Sequence, residues 1–359
     1  MLRIGFDAKR AFHNASGLGN YSRDLIQACL DLSDDWEIHA FNPKSNPKFQ
    51  LDGKIKVHEP QGLKATFHPL WRKSLLGKLS GKLGLDIYHG LSNELPSSWT
   101  KNRPKRVVTI HDVLFDHIPD QYNPIDRLTY RSKTKSAIAL ADAIISVSKA
   151  TARDLHFKYQ ADLDKIHIIP PPIHPSFFQK VSEEKSKSVA EKYQLPKTFL
   201  LTVGTPEPRK NQKFLAQVAE ILEMPLVMVG KKTKYGLTIQ EYFKDVVYLR
   251  SVPLQDLPAL YTMAHAFVYA SKFEGFGMPL AEAMACGTPV FCPDLPLFRE
   301  VCESHAGFYE EGSHDEIINH LRIPLPDDQS LEKGRIFAKR YSREEVFAKL
   351  KALYQDLAE

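Results

Sequence analysis

Long apolar runs are missing from this 359-residue sequence, and none approaches the roughly 20 residues needed to span a bilayer. Cysteine is scarce. Cys29, Cys286, Cys292 and Cys302 form no CxxC pair and no zinc spacing, which excludes a disulfide scaffold and a cysteine-built metal centre. There is no GxxxxGK[ST] loop, no HExxH and no GxSxG elbow, so P-loop, zincin and serine-hydrolase chemistry have no carrier. Charge of one sign is also modest. Lys and Arg total 48 against 43 Asp and Glu, and a net +5 is too small to argue for nucleic acid. That slight excess does suit phosphorylated ligands or an anionic membrane surface. The opening MLRIGFDAKR is strand-like without an apolar signal core, so the expected compartment is the cytoplasm, with reduced thiols. The sequon Asn14-Ala15-Ser16 then has no use.

What is present is a repeated alternation of short apolar runs with helix-length amphipathic segments. The first half carries LRIGF (2–6), WEIHAF (36–41), DIYHG (86–90), RVVTIHD (106–112), DAIISVS (142–148) and IHIIP (166–170). The second carries TFLLTVG (198–204), PLVMVG (225–230), VVYLR (246–250), HAFVYAS (265–271) and TPVFCPD (288–294). Such runs read as buried parallel strands in βαβ units, which predicts an α/β protein of two doubly wound, Rossmann-like sheets. The proline cluster in IIPPPIHPSF (168–177) marks the connection, giving domains 1–177 and 178–340. Residues 341–359 form a terminal helix, with Ser342 as its N-cap, Glu345 in capping-box position and an apolar stripe of Val346, Leu350, Leu353 and Leu357. That helix is expected to dock back on the first domain. In such sheets ligands bind at the carboxyl ends of the strands, so residues there are the candidates.

Three constellations meet that condition. In TVGTPEPRKNQKFL (202–215) a strand ends at Gly204, and Arg209 and Lys210 stand just before a helix, placed to meet a phosphate. In KFEGFGMPLAEAMACG (272–287) the loop glycines Gly275 and Gly277 expose backbone N–H groups, Pro279 opens a helix and Gly287 closes it. Glu282 has a capping reading, since a first-turn carboxylate suits the helix dipole. Glu274, on the loop, has none. Carboxylates beside a phosphate site make sense as acceptors for hydroxyls of the same ligand, which would be anionic at one end and polyhydroxylated at the other. In the first half, Gly17-Leu18-Gly19 lies between a strand and a helix, but a lone GxG without an acidic residue closing the next strand speaks against a nicotinamide cofactor. His111-Asp112 closes another strand and is equally a site residue or a satisfied histidine. Asp162-Leu163-Asp164 sits in a charged turn before a strand and reads as surface. PLWRKSLLGKLSGKLG (69–84) is basic and amphipathic, either a packing helix or a peripheral contact with the inner membrane face.

Taken together, FEGFGMPLAEAMACGTPV resembles the E-x7-E signature of retaining glycosyltransferase family 4, enzymes of the GT-B fold, and VGTPEPRKNQKFL resembles that family's phosphate-binding turn. LPALYTMAHAFVYAS, ISVSKATARDL and DIYHGLSNELP are similar to further family segments, whereas IIPPPIHPSF departs from the family's usual Pro-Asn-Gly-Val. The resemblance implies a nucleotide-diphosphate sugar as donor substrate, with no cofactor and no metal ligands required. It implies that Glu274 meets the donor sugar, Glu282 the ribose, and Arg209 and Lys210 the diphosphate. The backbone amides of Phe276, Gly277, Met278 and Leu280 would line sugar and phosphate. Gly17 and Gly19 would belong to an N-terminal loop closing on the diphosphate, Gly204 to the phosphate turn, and His111 would lie by the sugar. Val252 and Leu254 are the expected base pocket. The acceptor, a saccharide or lipid-linked saccharide of surface polysaccharide synthesis, would be read by the first domain, and GDP-mannose is the first donor to test. Alternatives are another GT-B enzyme, a sugar-nucleotide epimerase or phosphorylase, and a catalytically silent nucleotide-sugar-binding protein.

Overall fold

The computed structural model describes all residues except 16, 32, 45–46 and 61–70. Ser16 of the sequon and positions 69–70 of the amphipathic stretch therefore lie outside the described residues. The chain divides into two compact units, Met1–Pro172 with Glu344–Glu359, and Ile173–Arg343.

The first unit holds a seven-stranded sheet of β1 (Leu2–Asp7), β2 (Trp36–Phe41), β3 (Lys56–His58), β4 (Ile87–Gly90), β5 (Lys105–Ile110), β6 (Ala143–Ser146) and β7 (Ile166–Ile168). Its spatial order is β3-β2-β1-β4-β5-β6-β7, and all its pairings are parallel. The second unit holds six parallel strands, β8 (Leu200–Val203), β9 (Leu226–Val229), β10 (Val246–Leu249), β11 (Ala266–Val268), β12 (Val290–Pro293) and β13 (Gly307–Tyr309), in the order β10-β9-β8-β11-β12-β13. Each apolar run named above supplies one strand. β3 and β13 are the two that the runs do not announce. Both are three-residue strands at sheet edges, where one neighbour suffices and no two-sided apolar face is needed.

Chain direction across each sheet reverses once, between β1 and β4 in the first and between β8 and β11 in the second. Loops that leave adjacent strands in opposite lateral directions open a crevice at that point, and ligands of open α/β sheets bind there.

The helix Arg343–Ala358 packs on the first unit, where Val346, Phe347, Leu350, Leu353 and Tyr354 join the core beside Ile4, Phe6 and Trp36. Burying an aliphatic side chain of this size contributes on the order of 2 kcal/mol, before the entropy of ordering it. The proline segment is also packed down. His174 caps the turn Pro175–Phe178, Ile173 N–H donates to the Tyr341 carbonyl at 2.7 Å, and Phe177 meets Tyr261 edge to face. In the basic amphipathic stretch, Leu76 is buried, while Leu75, Leu79 and Leu83 pack against Phe41, Trp71 and Tyr88. Lys73, Lys78 and Lys82 remain exposed. The apolar face is thus used within the unit. No helix among the described residues is long and apolar enough to cross a membrane.

Candidate active site

The crevice of the second sheet collects the charged residues that the sequence singles out. β8 is followed directly by Gly204, whose φ of +143° disfavours any side chain. A Cβ there would stand 2.8 Å from Lys210 Nζ, so the glycine is what admits the ammonium to the strand end. The chain then makes a single turn, Pro208–Lys210, and Asn211 in left-handed conformation starts the helix Gln212–Ile221. This turn brings Arg209 and Lys210 beside the loop that follows the neighbouring strand, β11.

Glu274 sits on that loop and is held from every side the protein offers. The hydroxyls of Tyr269 and Ser271 donate to its Oε1 at 2.7 and 2.9 Å, and Arg209 Nη1 and Lys210 Nζ lie 2.9 and 3.5 Å from the same oxygen. Oε2 has no protein partner among the described residues. Burial alone would raise this carboxyl. The Lys210 and Arg209 charges, with the two hydroxyls, overcome it and hold Glu274 below the ordinary glutamate value. Arg209 is fixed in turn by the Phe273 carbonyl at 2.6 Å and by Glu207 at 3.2 Å.

Glu282 repeats the arrangement with one clamp. Tyr261 donates to its Oε2 at 2.9 Å, and Oε1 has no protein partner among the described residues. No cation among the described residues is paired to it, so burial dominates and lifts its carboxyl to about 7, against the opposing effects of Tyr261 and Lys210. The helix begins at Met278 and carries no acidic residue in its first turn, so Glu282 lies one turn too far along to cap it. That removes the capping reading. Gly277, at φ +92°, is the residue preceding the helix, and Gly287 ends it at φ +74°.

The other expected residues are distributed as follows. Phe276 is buried with its ring edge-on to Tyr341 at 5.1 Å, and Met278 opens the helix. The Leu280 N–H donates to the Gly277 carbonyl at 3.0 Å, so this amide is engaged within the first turn rather than offered outward. Val252 is half-buried and Leu254 exposed, in the turn after β10. Three strand spacings separate β10 from β11, about 14 Å at 4.8 Å each, so this turn is at a distance from Glu274. Asp256 pins it by ion pairs to Lys185 and Lys192 at 2.5 and 2.6 Å and by the Tyr193 hydroxyl at 2.9 Å.

Gly17, Gly19 and His111 belong to the first unit. Both glycines lie inside the helix Gly17–Asp31. A Cβ on Gly19 would fall 1.8 Å from the Asn14 carbonyl oxygen, whereas Gly17 faces open space. Gly19 is therefore required by backbone packing. His111 follows β5, with Nε2 donating to the Leu91 carbonyl at 3.0 Å and the ring edge against Tyr21. Burial pushes its pKa down to about 4, so near neutrality the ring is uncharged and Nδ1 is its acceptor. The Asp162-Leu163-Asp164 turn is exposed, with Asp162 capping its own short turn.

Sequence reasoning missed Tyr261, Tyr269 and Ser271, all buried and all clamping a glutamate. The available signal was polar hydroxyls in otherwise apolar segments, LPALYTMAHAFVYAS, since a buried hydroxyl needs a partner.

Two family models match the chain, "Glycosyltransferase Family 4" over residues 15–177 and "Glycosyl transferases group 1" over 183–340. The O-antigen chain mannosyltransferase B of Escherichia coli is 31% identical, over 96% of this chain and 97% of its own length. The chain belongs to glycosyltransferase family 4. A second relative, the O-antigen chain mannosyltransferase RfbU of Salmonella typhimurium, is 28% identical over 66% of this chain and 65% of its own. Among solved structures, sucrose-phosphate synthase from Thermosynechococcus elongatus superposes with a TM-score of 0.76 at 18% identity, covering 99% of both chains. HepE of Anabaena in complex with UDP-glucose gives 0.74 at 16% identity over the whole of both chains. These likenesses establish the GT-B fold of this glycosyltransferase.

Proposed function

We propose that this glycosyltransferase moves a hexose, mannose in the first instance, from a nucleoside-diphosphate sugar to a saccharide or lipid-linked saccharide, with retention at the anomeric carbon. One observation carries the reading. Glu274 and Glu282 each have one oxygen tied to a buried tyrosine and the other without a protein partner among the described residues, and Glu274 stands beside two cations. Free carboxylate oxygens accept hydroxyls, and Arg209 with Lys210 meets a diphosphate. A sugar joined to a nucleoside diphosphate presents that combination. Mannose and GDP are the first choice because mannosyl transfer is what the curated relatives are named for.

In the proposed step the bond from the anomeric carbon to the β-phosphate oxygen breaks, and its electron pair stays on that oxygen. The acceptor hydroxyl oxygen bonds to the same face of the anomeric carbon, and its proton passes to the departing phosphate. Negative charge thus grows on the diphosphate, where Arg209 and Lys210 are already oriented by Glu274, a preorganised electrostatic contribution. These cations supply the stabilisation that a divalent metal gives in other transferases, so transfer is expected to survive chelation. The decisive experiment incubates the purified protein with GDP-mannose and an oligomannoside, and reads the product's anomeric configuration by NMR with and without EDTA. An inverted product, or complete loss on chelation, would reject the mechanism. Failure with GDP-mannose but transfer from UDP-glucose would reject only the donor.

A further inference from the structure

Glu274 is held by more donors than a buried carboxylate needs, and all of them are on one side. The hydroxyls of Tyr269 and Ser271 and the cations Arg209 and Lys210 crowd Oε1, while Oε2 has no partner among the described residues. An ionised carboxylate beside two cations ordinarily divides its oxygens between them, and with arginine it forms a two-pronged pair. Here Arg209 reaches it with Nη1 alone, because Nη2 goes to Glu207 at 3.2 Å. Lys210 stands off at 3.5 Å, longer than a charge-assisted hydrogen bond. Glutamate's own terminal torsion is broad and does not enforce so lopsided a setting.

The two hydroxyls have the rigidity to enforce it. Tyr269 follows β11 directly and is 2% exposed. Its N–H donates to the Phe291 carbonyl at 2.9 Å, and its carbonyl accepts from the Tyr309 hydroxyl at 2.5 Å. Its ring lies 5.9 Å from that of Phe267 and 5.7 Å from that of Phe298, which it meets edge to face. Ser271 is fully buried, and its proton has two acceptors in reach, the Phe273 carbonyl at 3.3 Å and Glu274 at 2.9 Å. The nearer and charged one is preferred. Glu282 supplies the contrast. No cation among the described residues is paired to it, and the Tyr261 hydroxyl holds it by itself. The second hydroxyl is present where cations pull.

We propose that Tyr269 and Ser271 are positioning residues that hold Glu274 open, fixing its carboxylate through Oε1 so that it does not close on Arg209 and Lys210. Oε2 is thereby kept for a hydroxyl of the transferred sugar, and the two cations for the diphosphate. Without the hydroxyls the carboxylate turns until both oxygens meet the cations, and the site neutralises itself. This deepens the donor half of the function proposed above and rests on it.

Calorimetric titration of the whole protein tests the clamp. Inorganic diphosphate probes the cations, and two matched pairs, GDP with GDP-mannose and UDP with UDP-glucose, probe the open oxygen. Tyr269→Phe with Ser271→Ala removes both hydroxyls and keeps the ring. Tyr269→Phe alone gives the same reading at smaller amplitude should the double variant not fold. The affinity of sugar nucleotide relative to nucleotide should fall at least about tenfold, as loss of a charge-assisted hydrogen bond does. Inorganic diphosphate should also bind more weakly, and adding Glu274→Gln should restore it, because an amide has no charge to pair with the cations. The gain from Glu274→Gln should be at least about fivefold larger in the double variant than in the parent, a coupling of the size found between residues in contact. A site that has merely loosened loses nucleotide and sugar nucleotide alike, so an unchanged ratio overturns the proposal. An equal gain from Glu274→Gln in the two backgrounds overturns it as well. A parent that binds diphosphate but none of the nucleotides defeats the donor reading instead, and the Glu274→Gln comparison then decides the clamp by itself. A parent that does not bind diphosphate overturns the clamp.

Discussion

Glu282 gives a direct measure of how far the protein suppresses charge in its own site. Burial lifts its carboxyl to about 7, against an ordinary 4.5. A carboxyl raised in this way holds its proton in the folded state when the unfolded chain has already lost it. Stability therefore falls as pH climbs from about 4.5, and the penalty is complete above about 7. A shift of about 2.5 units at 1.36 kcal/mol each makes that penalty on the order of 3 kcal/mol. Glu282→Gln keeps the shape and an acceptor for the Tyr261 hydroxyl while removing the titration. Whatever constant cost the amide brings, the stability of the variant relative to the parent should improve by about 3 kcal/mol between pH 4.5 and 8, or roughly 6–12 °C in Tm for a unit of this size. Calorimetry of the ligand-free protein across that range reads it. Ribose hydroxyls donate and so favour the ionised carboxylate, which adds a second expectation: nucleotide affinity of the parent should rise with pH through 6–7 and that of the variant should not. Parallel Tm curves for the two proteins would refute the reasoning, because they would mean that the carboxyl is already ionised in the folded state at low pH.

Lys210→Ala should lower kcat by roughly 10²–10³-fold with the fold intact by circular dichroism, as loss of one group facing a developing oxyanion typically does. Gly204→Ala forces a side chain onto a +143° φ and against the Lys210 ammonium, so it should cost about 1–3 kcal/mol of stability and much of the same activity. Adding Lys210→Ala to it should then lower kcat little further, and a double-mutant cycle that shows full additivity would break the link. Asp256 has its carboxyl held at about 2, burial being outweighed by Lys185, Lys192 and the Tyr193 hydroxyl, so its contribution is present above about 3.8 and lost as pH falls through 2. Asp256→Asn should destabilise the second unit at pH 7 and raise hydrogen exchange across Glu183–Tyr193, and the difference should shrink by pH 3.

Most of the fold is legible from periodicity alone because parallel strands are buried on both faces and leave unbroken apolar runs. LRIGF and HAFVYAS announce themselves this way, whereas β3 and β13 are edge strands whose Lys56–His58 and Gly307–Tyr309 carry no such run. The amphipathic segment at 69–84 shows a different limit. Its stripe of leucines is the same whether it faces a sheet or a bilayer, and only the positions of Phe41, Trp71 and Tyr88 decide that it packs inward.

The site was legible one residue at a time, but its electrostatics was not. Arg209 and Glu274 are 65 positions apart, and no local pattern says that their strands, β8 and β11, are neighbours. Without that adjacency Glu274 looks like a carboxylate set against an anion site. With it, Glu274 is the residue that orients both cations through Oε1 and leaves Oε2 without a protein partner among the described residues. Sheet order is thus the missing variable, and it acts in the first unit as well. Asp7 and Glu94 are 87 positions apart and unremarkable in the sequence, yet they stand at the ends of neighbouring strands β1 and β4. In both sheets a basic side chain bridges the carboxylate that the reversal exposes. In the second that pairing leaves Glu274 Oε2 without a protein partner among the described residues, and in the first it ties Asp7 to Glu94 through Arg72, so one topological reversal, used twice, gathers opposite charges at the strand ends of both sheets.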